Sequence, residues 1–548
     1  MNRGIDRVNA VQRELKGKHI FILGAGVMQI PAIEIAREMG LHITVADGNP
    51  EAEGRDKADV FLHIDLKDTE ALYRAARNSE IPVDGVFTAG TDFSASVAYV
   101  VGKLGLHGIS HETAMKATDK ALMREAFADA GVPSPKFVYF TLPESGAAPK
   151  DVSVTAEDVA GLKFPLVVKP VDNMGARGIR RVDTLDELTE AVKMAFPLSR
   201  KGRVIVEEYI EGAEYSVDAL IWNGEIYICG IADRHITFPP FFIEMGHTMP
   251  TASSAKVRRE IVSVFKQGIA ALGIFTGAAK GDIKYNEKGA FIGEIAARLS
   301  GGYMSGWTYP YASGILPTMG GLRIALGYPP FDSFSAASNV SAEHAYISVP
   351  GRVRGVSGIQ EALTLPYLRQ HFSRVKPGDR IEFPRNNVEK CGNYISQAPS
   401  RKKAVQSVKS ACRNTYIDLE PDDPSTLSFL TERGHSGSYF GNDKKLYAYF
   451  ERMQLIYGFS EGVCPSGLAP VPSRLYKKVR GWYGDSAGDV LKKLGNHGIM
   501  IRSEGCRIGK PAWLSLARGG LQGSLWFFET LALHYEKGDL EDWLRNWE

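Results

Sequence analysis

The sequence predicts a multidomain protein of mixed α/β and α+β class, and three observations carry that expectation. Its 548 residues exceed what one hydrophobic core organises, so about three or four domains are expected. Near the N-terminus, short apolar runs alternate with helical patterns, which indicates a parallel sheet with crossover helices. Farther on, runs of period-two alternation joined by hairpin chemistry predict antiparallel sheet.

Lys18-His19-Ile20-Phe21-Ile22-Leu23 has strand length and ends at Gly24-Ala25-Gly26. A helical pattern follows (Ile30, Ile33, Ile35, Met39), then a strand at 42–47 and another at 83–88. Gly24-x-Gly26 with Asp47 downstream matches the start of a dinucleotide fingerprint, but Gln29 stands where Gly or Ala should let the helix pack closely. Two other readings stand beside it. The glycines make a tight strand-to-helix turn, or the sheet's carboxyl edge, with Gly90-Thr91-Asp92, lines a substrate cleft.

Ala117-Thr118-Asp119-Lys120 opens a helix with Asp or Thr as cap, and Gly131-Val132-Pro133 stops it. After a looser connection at 141–160, Leu166-Val167-Val168 reads as a strand with Lys169 at its end. The loop from Asn173 to Gly178 follows, with Gly175, Arg177 and Gly178 able to meet phosphate oxygens. Val204 to Ile210 and Glu214 to Leu220 are strand-like. Together they suit a hinge where adenine meets backbone and Glu214 accepts from ribose hydroxyls; read singly, they are acidic strand edges. Val257, Ile261, Val264, Phe265, Ile269 and Leu272 keep helical spacing up to Gly273. The runs 276–285 and 290–295 flank the turn Asn286-Glu287-Lys288-Gly289, and antiparallel pairing brings Asp282 near Glu294. Two carboxylates so placed repel unless a dication lies between them, which points to Mg²⁺; the bland reading is a surface hairpin with unrelated acids. A strand-end lysine, a Gly-rich flap and a carboxylate pair are what magnesium-dependent phosphoryl transfer from ATP requires.

Composition narrows the classes. Hydrophobic residues at 44% and charged residues at 23% are ordinary for globular protein, and a net charge of +2 predicts no general attraction to nucleic acid or membrane. The five cysteines (Cys229, Cys391, Cys412, Cys464, Cys506) show neither C-x-x-C nor zinc spacing and read as free thiols. The polar N-terminus is no secretory signal and no apolar run spans a bilayer, so a cytoplasmic protein is expected.

The ordered set Lys120, Lys169, Gly-rich loop, Glu207 to Ile210, Asp282, Glu294, Arg298 resembles the ATP-grasp superfamily. Its flavour is that of carboxylate–amine ligases and of the phosphoribosylaminoimidazole carboxylase and biotin carboxylase relatives, over residues 18 to 420. The resemblance implies a Rossmann-like domain at 1–117, an ATP-grasp domain at 118–335, a β-rich closing part at 336–420 and an unrecognised extension at 421–548. It implies that Lys120, Lys169, Arg177 and the Gly175 to Gly178 flap hold ATP phosphates. Glu207, Tyr209 and Ile210 would form the adenine hinge and Glu214 would bind ribose. Asp282 and Glu294 would coordinate Mg²⁺, and Arg298 would steady the transferred phosphate. Two positions depart from the pattern: Asp282 is shorter than the usual Glu, and Ala296 replaces an Asn ligand.

The implied chemistry activates a carboxylate as an acyl phosphate and passes it to an amine. Asp233-Arg234-His235 and Gly301 to Ser305 are candidate acceptor surface; His235 is read either as an amine-positioning base or as a satisfied structural histidine. Trp307, Tyr309 and Tyr311 line a substrate pocket or pack under a loop. Beyond the linker expected at 418–424, the stretch 473–510 carries an excess of Lys and Arg, read as a solvated face or an anion-binding one. The apolar end, from Leu525 to Trp547, reads as helix docking on the body or on a second copy in a homo-oligomer. The rival functions are bicarbonate activation through carboxyphosphate, a nicotinamide-dependent oxidoreductase built on Gly24 to Asp47, and a non-catalytic nucleotide-binding module.

Overall fold

The structure, a computed structural model, describes residues 15–142, 152–331, 339–432, 437–440, 479–497 and 509–547. The chain divides into two compact units: Met1–Ile236 with Gly246–Glu343 and Gln397–Arg401, and Thr237–Met245 with His344–Ser396 and Lys402–Glu548.

The first unit begins with a parallel sheet of β1 (His19–Leu23), β2 (His42–Asp47), β3 (Val60–His63) and β4 (Gly85–Phe87), in the order β3-β2-β1-β4. Both faces of β1 are covered, which is why its sequence is continuously apolar. Ile20 and Ile22 pack with Ala32, Ile33 and Ala36 of the helix Ile30–Glu38, whereas Phe21 and Leu23 pack with Leu72, Val100 and Val101. The Gly-rich turn is closed on itself. The Ala25 N–H donates to Asp47 Oδ2 at 2.7 Å, and Gln29 Nε2 donates to the Ala89 carbonyl at 2.5 Å. Gln29 also lies so close over Gly24 that a Cβ there would come within 2.9 Å of its Cδ. The amide, the acid and the space that a dinucleotide needs are thus taken by protein atoms, which favours the tight-turn reading.

An antiparallel sheet follows: β5 (Phe137–Thr141), β6 (Leu166–Pro170), β7 (Arg180–Val182) and β8 (Arg203–Glu208), in the order β5-β8-β6-β7. Leu166, Val168, Val204 and Val206 bury one face against Leu188, Ala191 and Val192 of the helix Leu185–Ala195. Strand alternation therefore turns Lys169 and Glu207 to the opposite face.

The larger antiparallel sheet contains β9 (Ala213–Trp222), β10 (Glu225–Thr237), β11 (Ile243–Met249), β12 (Gly277–Asn286) and β13 (Gly289–Ala296), in the order β13-β12-β9-β10-β11. The expected hairpin at Asn286 to Gly289 joins β12 to β13. The helix Ala255–Leu272, capped by Ser254 and ended by Gly273 at φ 74°, packs Ile261, Phe265, Ile269 and Leu272 onto Val217, Ala219, Ile283, Ile292 and Ile295. Gly281 makes that approach possible, since a Cβ would come within 2.6 Å of Phe265. With one face buried, Glu214, Arg234, Lys280, Asp282, Lys284 and Glu294 are collected on the other.

In the second unit, strands Gly351–Ser357, Arg380–Ile381 and Tyr416–Leu419 form a small sheet, and Leu368–Ser373 pairs with Gly392–Ala398. A strand at Gly392–Ala398 is followed by the helix Arg401–Asn414. The stretch expected as a linker runs from the strand Tyr416–Leu419 into the helix Pro424–Thr431, which Asp423 caps. Trp526, Phe527, Trp543 and Trp547 are buried, and Trp526 Nε1 donates to the Glu420 carbonyl at 2.9 Å, so the C-terminal helices dock within their own unit. Cys229, Cys391 and Cys412 are buried free thiols; Cys464, Cys506 and, of the basic stretch, residues 473–478 and 498–508 lie outside the described residues. Among the described residues no helix is long and apolar enough to cross a membrane.

Candidate active site

The polar face of the larger sheet brings the expected carboxylate pair together. Asp282 on β12 stands directly opposite Glu294 on β13, with a bulge beside it at Gly293. Ser216 on β9 donates to Asp282 Oδ1 at 2.9 Å, Arg234 on β10 lies 3.1 Å from Oδ2, and Lys280 also donates to Oδ2. Glu294 receives Lys120 at 3.7 Å. Burial pushes the Glu294 carboxyl upward, but Lys120 and Lys280 outweigh it and hold its pKa below the ordinary carboxylate range. Glu294 therefore stays ionised, and each acid of the pair lies beside a cation.

Lys120 opens the helix Lys120–Asp129, whose cap Asp119 accepts from Ala121 N–H at 3.0 Å. Its Nζ donates to the Asn173 carbonyl at 2.8 Å, which joins the helix start to the root of the Gly-rich loop. Lys169 Nζ donates to Glu207 Oε2 at 2.6 Å, and Arg124 Nε lies 2.8 Å from Oε1. The Arg124 and Glu207 side chains are 1% and 2% exposed, and Lys169 is 17% exposed. Burial raises the Glu207 pKa, but the two cations overcome it and bring it down to about 2. The Glu207 carboxylate, assigned to the adenine hinge by resemblance, thus faces Lys169 and Arg124.

Glu214 lies between Lys284 at 2.9 Å and Arg234 at 3.5 Å, so Arg234 links it to Asp282. Tyr209 donates its N–H to the Pro165 carbonyl at 2.9 Å, and its ring carries Arg181 and Lys284 at 4.9 and 4.2 Å from the centroid. Ile210 follows β8 directly. In the flap, Gly175, Ala176 and Gly178 have φ of 69°, 61° and 73°, and a Cβ on Gly178 would come within 2.9 Å of Pro170. Arg177 folds onto the flap itself, its Nε donating to the Met174 carbonyl at 3.1 Å. Asp172 anchors the loop by accepting from Ser199 Oγ at 3.0 Å and Lys201 N–H at 3.0 Å. Arg298 donates to the Leu299 carbonyl at 3.1 Å, while its Nε is buried without a hydrogen-bond partner among the described residues. His235 Nε2 lies 2.9 Å from the Thr248 hydroxyl, and strand alternation turns His235 to the face opposite Arg234.

Residue-level reading missed Arg124, Lys280 and Lys284. Each had a signal: Arg124 is one helical turn after Lys120, and Lys280 and Lys284 alternate with Asp282 along one strand. Their effect is a cationic excess. Lys120, Lys280, Lys284 and Arg234 lie against Asp282, Glu294 and Glu214, a field suited to a polyphosphate carrying its own divalent ion.

A face of this kind, beside a Gly-rich loop on a second antiparallel sheet, suits the phosphates of a nucleotide. Residues 162–306 match the ATP-grasp domain, so the chain contains an ATP-grasp domain, and residues 344–420 match the L-amino acid ligase C-terminal domain 2. The chain is 24% identical over 315 residues to carnosine synthase 1 of Homo sapiens, covering 54% of this chain and 38% of that protein. It is 27% identical over 243 residues to the alanine–anticapsin ligase of Bacillus subtilis, covering 40% of this chain and 49% of that protein. Against both it spans less than half the relative's length. The crystal structure of L-amino acid ligase from Bacillus licheniformis shares the fold with a TM-score of 0.63 at 21% identity, covering 74% of this chain and 99% of that chain.

ATP-grasp domains take ATP with Mg²⁺, and the donor set fits that pair. Among the described residues no cluster of three or more His, Cys, Asp or Glu could cage a metal unaided. Two hard carboxylates suit Mg²⁺, which keeps waters and substrate phosphate oxygens in its shell. Ala296, where an Asn ligand was expected by resemblance, is buried and adds no oxygen from its side chain.

Proposed function

We propose that the chain is an ATP- and Mg²⁺-dependent ligase that joins an amino acid to a second amino acid or small amine through an acyl phosphate. One observation carries this reading: Lys120 reaches Glu294 at 3.7 Å and Lys169 adds its charge near a carboxylate pair, Asp282 and Glu294, that stands opposed across β12 and β13. The amino-acid class is supported by the match at residues 344–420 and by the two ligase relatives.

Lys120 and Lys169 would hold phosphates as point charges, and Asp282 with Glu294 would hold magnesium, which supplies neutralisation of phosphate charge. A substrate carboxylate oxygen attacks the γ-phosphorus, the bond to the bridging oxygen breaks and ADP departs. The amine nitrogen then attacks the acyl carbon, inorganic phosphate leaves and the amine loses a proton. No protein nucleophile is needed; positioning and charge neutralisation suffice. Arg298 would steady the transferred phosphoryl group. The Gly175 to Gly178 flap would exclude water, which otherwise hydrolyses the acyl phosphate.

The test is ADP release over a panel of amino-acid pairs, with bicarbonate as a separate arm. Turnover that needs both an acid and an amine supports the ligase; bicarbonate-dependent turnover supports the carboxylase reading instead; no release in any arm overturns both. Within this assay Asp282→Asn is expected to raise the magnesium concentration for half-maximal turnover by about 10- to 100-fold. An unchanged magnesium requirement would remove Asp282 from the metal site.

A further inference from the structure

Asp218 has no part in the proposed chemistry, yet it is the most deeply placed acid on this face. It sits on β9 two residues beyond Ser216, on the same side of the sheet, and it is 0% exposed. Oδ2 accepts from Ser300 Oγ at 2.6 Å and from the Ser300 N–H at 3.1 Å. Oδ1 is buried with no hydrogen-bond partner among the described residues. Burying a carboxylate with one oxygen unmatched costs stability, and replacement by an apolar residue would relieve that cost if the acid served packing alone.

The groups around Asp218 show what the acid holds. Lys280 lies opposite on β12, Arg298 stands on the connection after β13, and Cys229 comes from β10. The Tyr309 hydroxyl accepts from the Asp218 N–H at 3.1 Å and donates to the Gly230 carbonyl at 3.3 Å. Ser300 belongs to the connection that carries Arg298. Beyond it, Leu299 bridges in parallel to Ala89 at the edge of the first sheet, and the Gly90 N–H donates to the Leu299 carbonyl at 3.3 Å. Ser305 Oγ then donates to the Ser300 carbonyl at 2.7 Å, tying in the π-helical turn Met304–Thr308. The Asp218 side chain thus fastens this connection to β9 through Ser300.

We infer that Asp218 is a positioning residue of this site, fixing through Ser300 the connection that carries Arg298, and acting by hydrogen bonding. The inference deepens the ligase reading and rests on it. Asparagine can accept both Ser300 bonds through its amide oxygen, whereas alanine accepts neither. A burial-raised pKa for Asp218, to about 6 against the pull of Ser300, Lys280 and Arg298, agrees with a charge that the fold tolerates rather than requires.

Two measurements on the full chain test this. In steady-state turnover, Asp218→Ala should lower kcat by about 100-fold, the scale for a misplaced reacting group, with the KM for ATP within about threefold of the parent. ADP released per ligated product should rise, because a displaced Arg298 leaves the acyl phosphate to water. Asp218→Asn should restore kcat to within about fivefold and restore the coupling ratio. Equal losses in both variants, or parental kcat in Asp218→Ala, overturn the inference. If Asp218→Ala does not fold, Ser300→Ala decides: a several-fold fall in kcat at constant ATP KM supports it, and no fall overturns it. Amide hydrogen exchange supplies the second measurement. Residues 299–303 should lose protection in Asp218→Ala and keep it in Asp218→Asn; identical protection in the two variants overturns the inference. A parent that ligates no acid–amine pair ends the ligase reading, while the exchange experiment still reports on the connection.

Discussion

Replacing Lys169 with alanine is expected to lower kcat/KM for ATP by about 10²- to 10³-fold, the cost of losing one preorganised charge at a phosphoryl group. The structure separates this loss from unfolding. Lys169 is 17% exposed at the end of β6, and its partner Glu207 retains Arg124 at 2.8 Å once the lysine is gone. The acid is left paired and the core beneath β6 untouched, so the thermal midpoint should move by no more than a few degrees. Lys169→Arg should recover little, because a planar fork cannot stand in for a compact ammonium between Glu207 and a phosphate. Turnover of Lys169→Ala within threefold of the parent would remove Lys169 from the nucleotide site. A large activity loss accompanied by an equally large fall in midpoint would mark it as structural.

How far this site could be read in advance depended on whether its signals were local. The helix Ala255–Leu272 carries its own start, Ser254, its own stop, Gly273, and an unbroken apolar stripe between them. The hairpin from Asn286 to Gly289 sets the register that places Asp282 opposite Glu294. Glu207 was harder. Its neighbours Tyr209 and Ile210 suggested a hinge, but Val204 and Val206 bury the other face of β8, and alternation alone directs Glu207 toward Lys169. Arg124 looked like any charged residue in an amphipathic helix. Its role depends on β8 and β13 meeting that helix, since its Nη2 also donates to the Gly293 carbonyl at 2.5 Å. Gln29 was legible as a departure from a fingerprint, whereas its cause, a hydrogen bond to Ala89 sixty residues away, was not. Pairings across such distances leave no periodicity in the chain.

The buried ion pair beneath the site yields the largest expected change in stability. Glu207→Ala leaves the Arg124 guanidinium, 1% exposed, without its carboxylate. Breaking a buried pair from one side costs about 3–5 kcal/mol, because the remaining charge is neither solvated nor matched. Lys169 has some solvent and can relax; Arg124, held over Phe127 and donating to Gly293, cannot. The decisive comparison is the double replacement Arg124→Met with Glu207→Leu, expected to recover most of the loss because no unpaired charge stays buried. The same pair sets an acid limit. Glu207 titrates near 2 in the folded chain against an ordinary 4.5, so its contribution is fully present above about pH 4.5 and is lost as pH falls toward 2. Urea unfolding from pH 6 down to pH 3 should therefore show a stability decline in the parent that is shallower in the double variant. A decline of equal slope in both proteins would mean that other carboxylates govern acid unfolding, and a parent-like midpoint for Glu207→Ala would mean that Arg124 finds solvent the fold denies it.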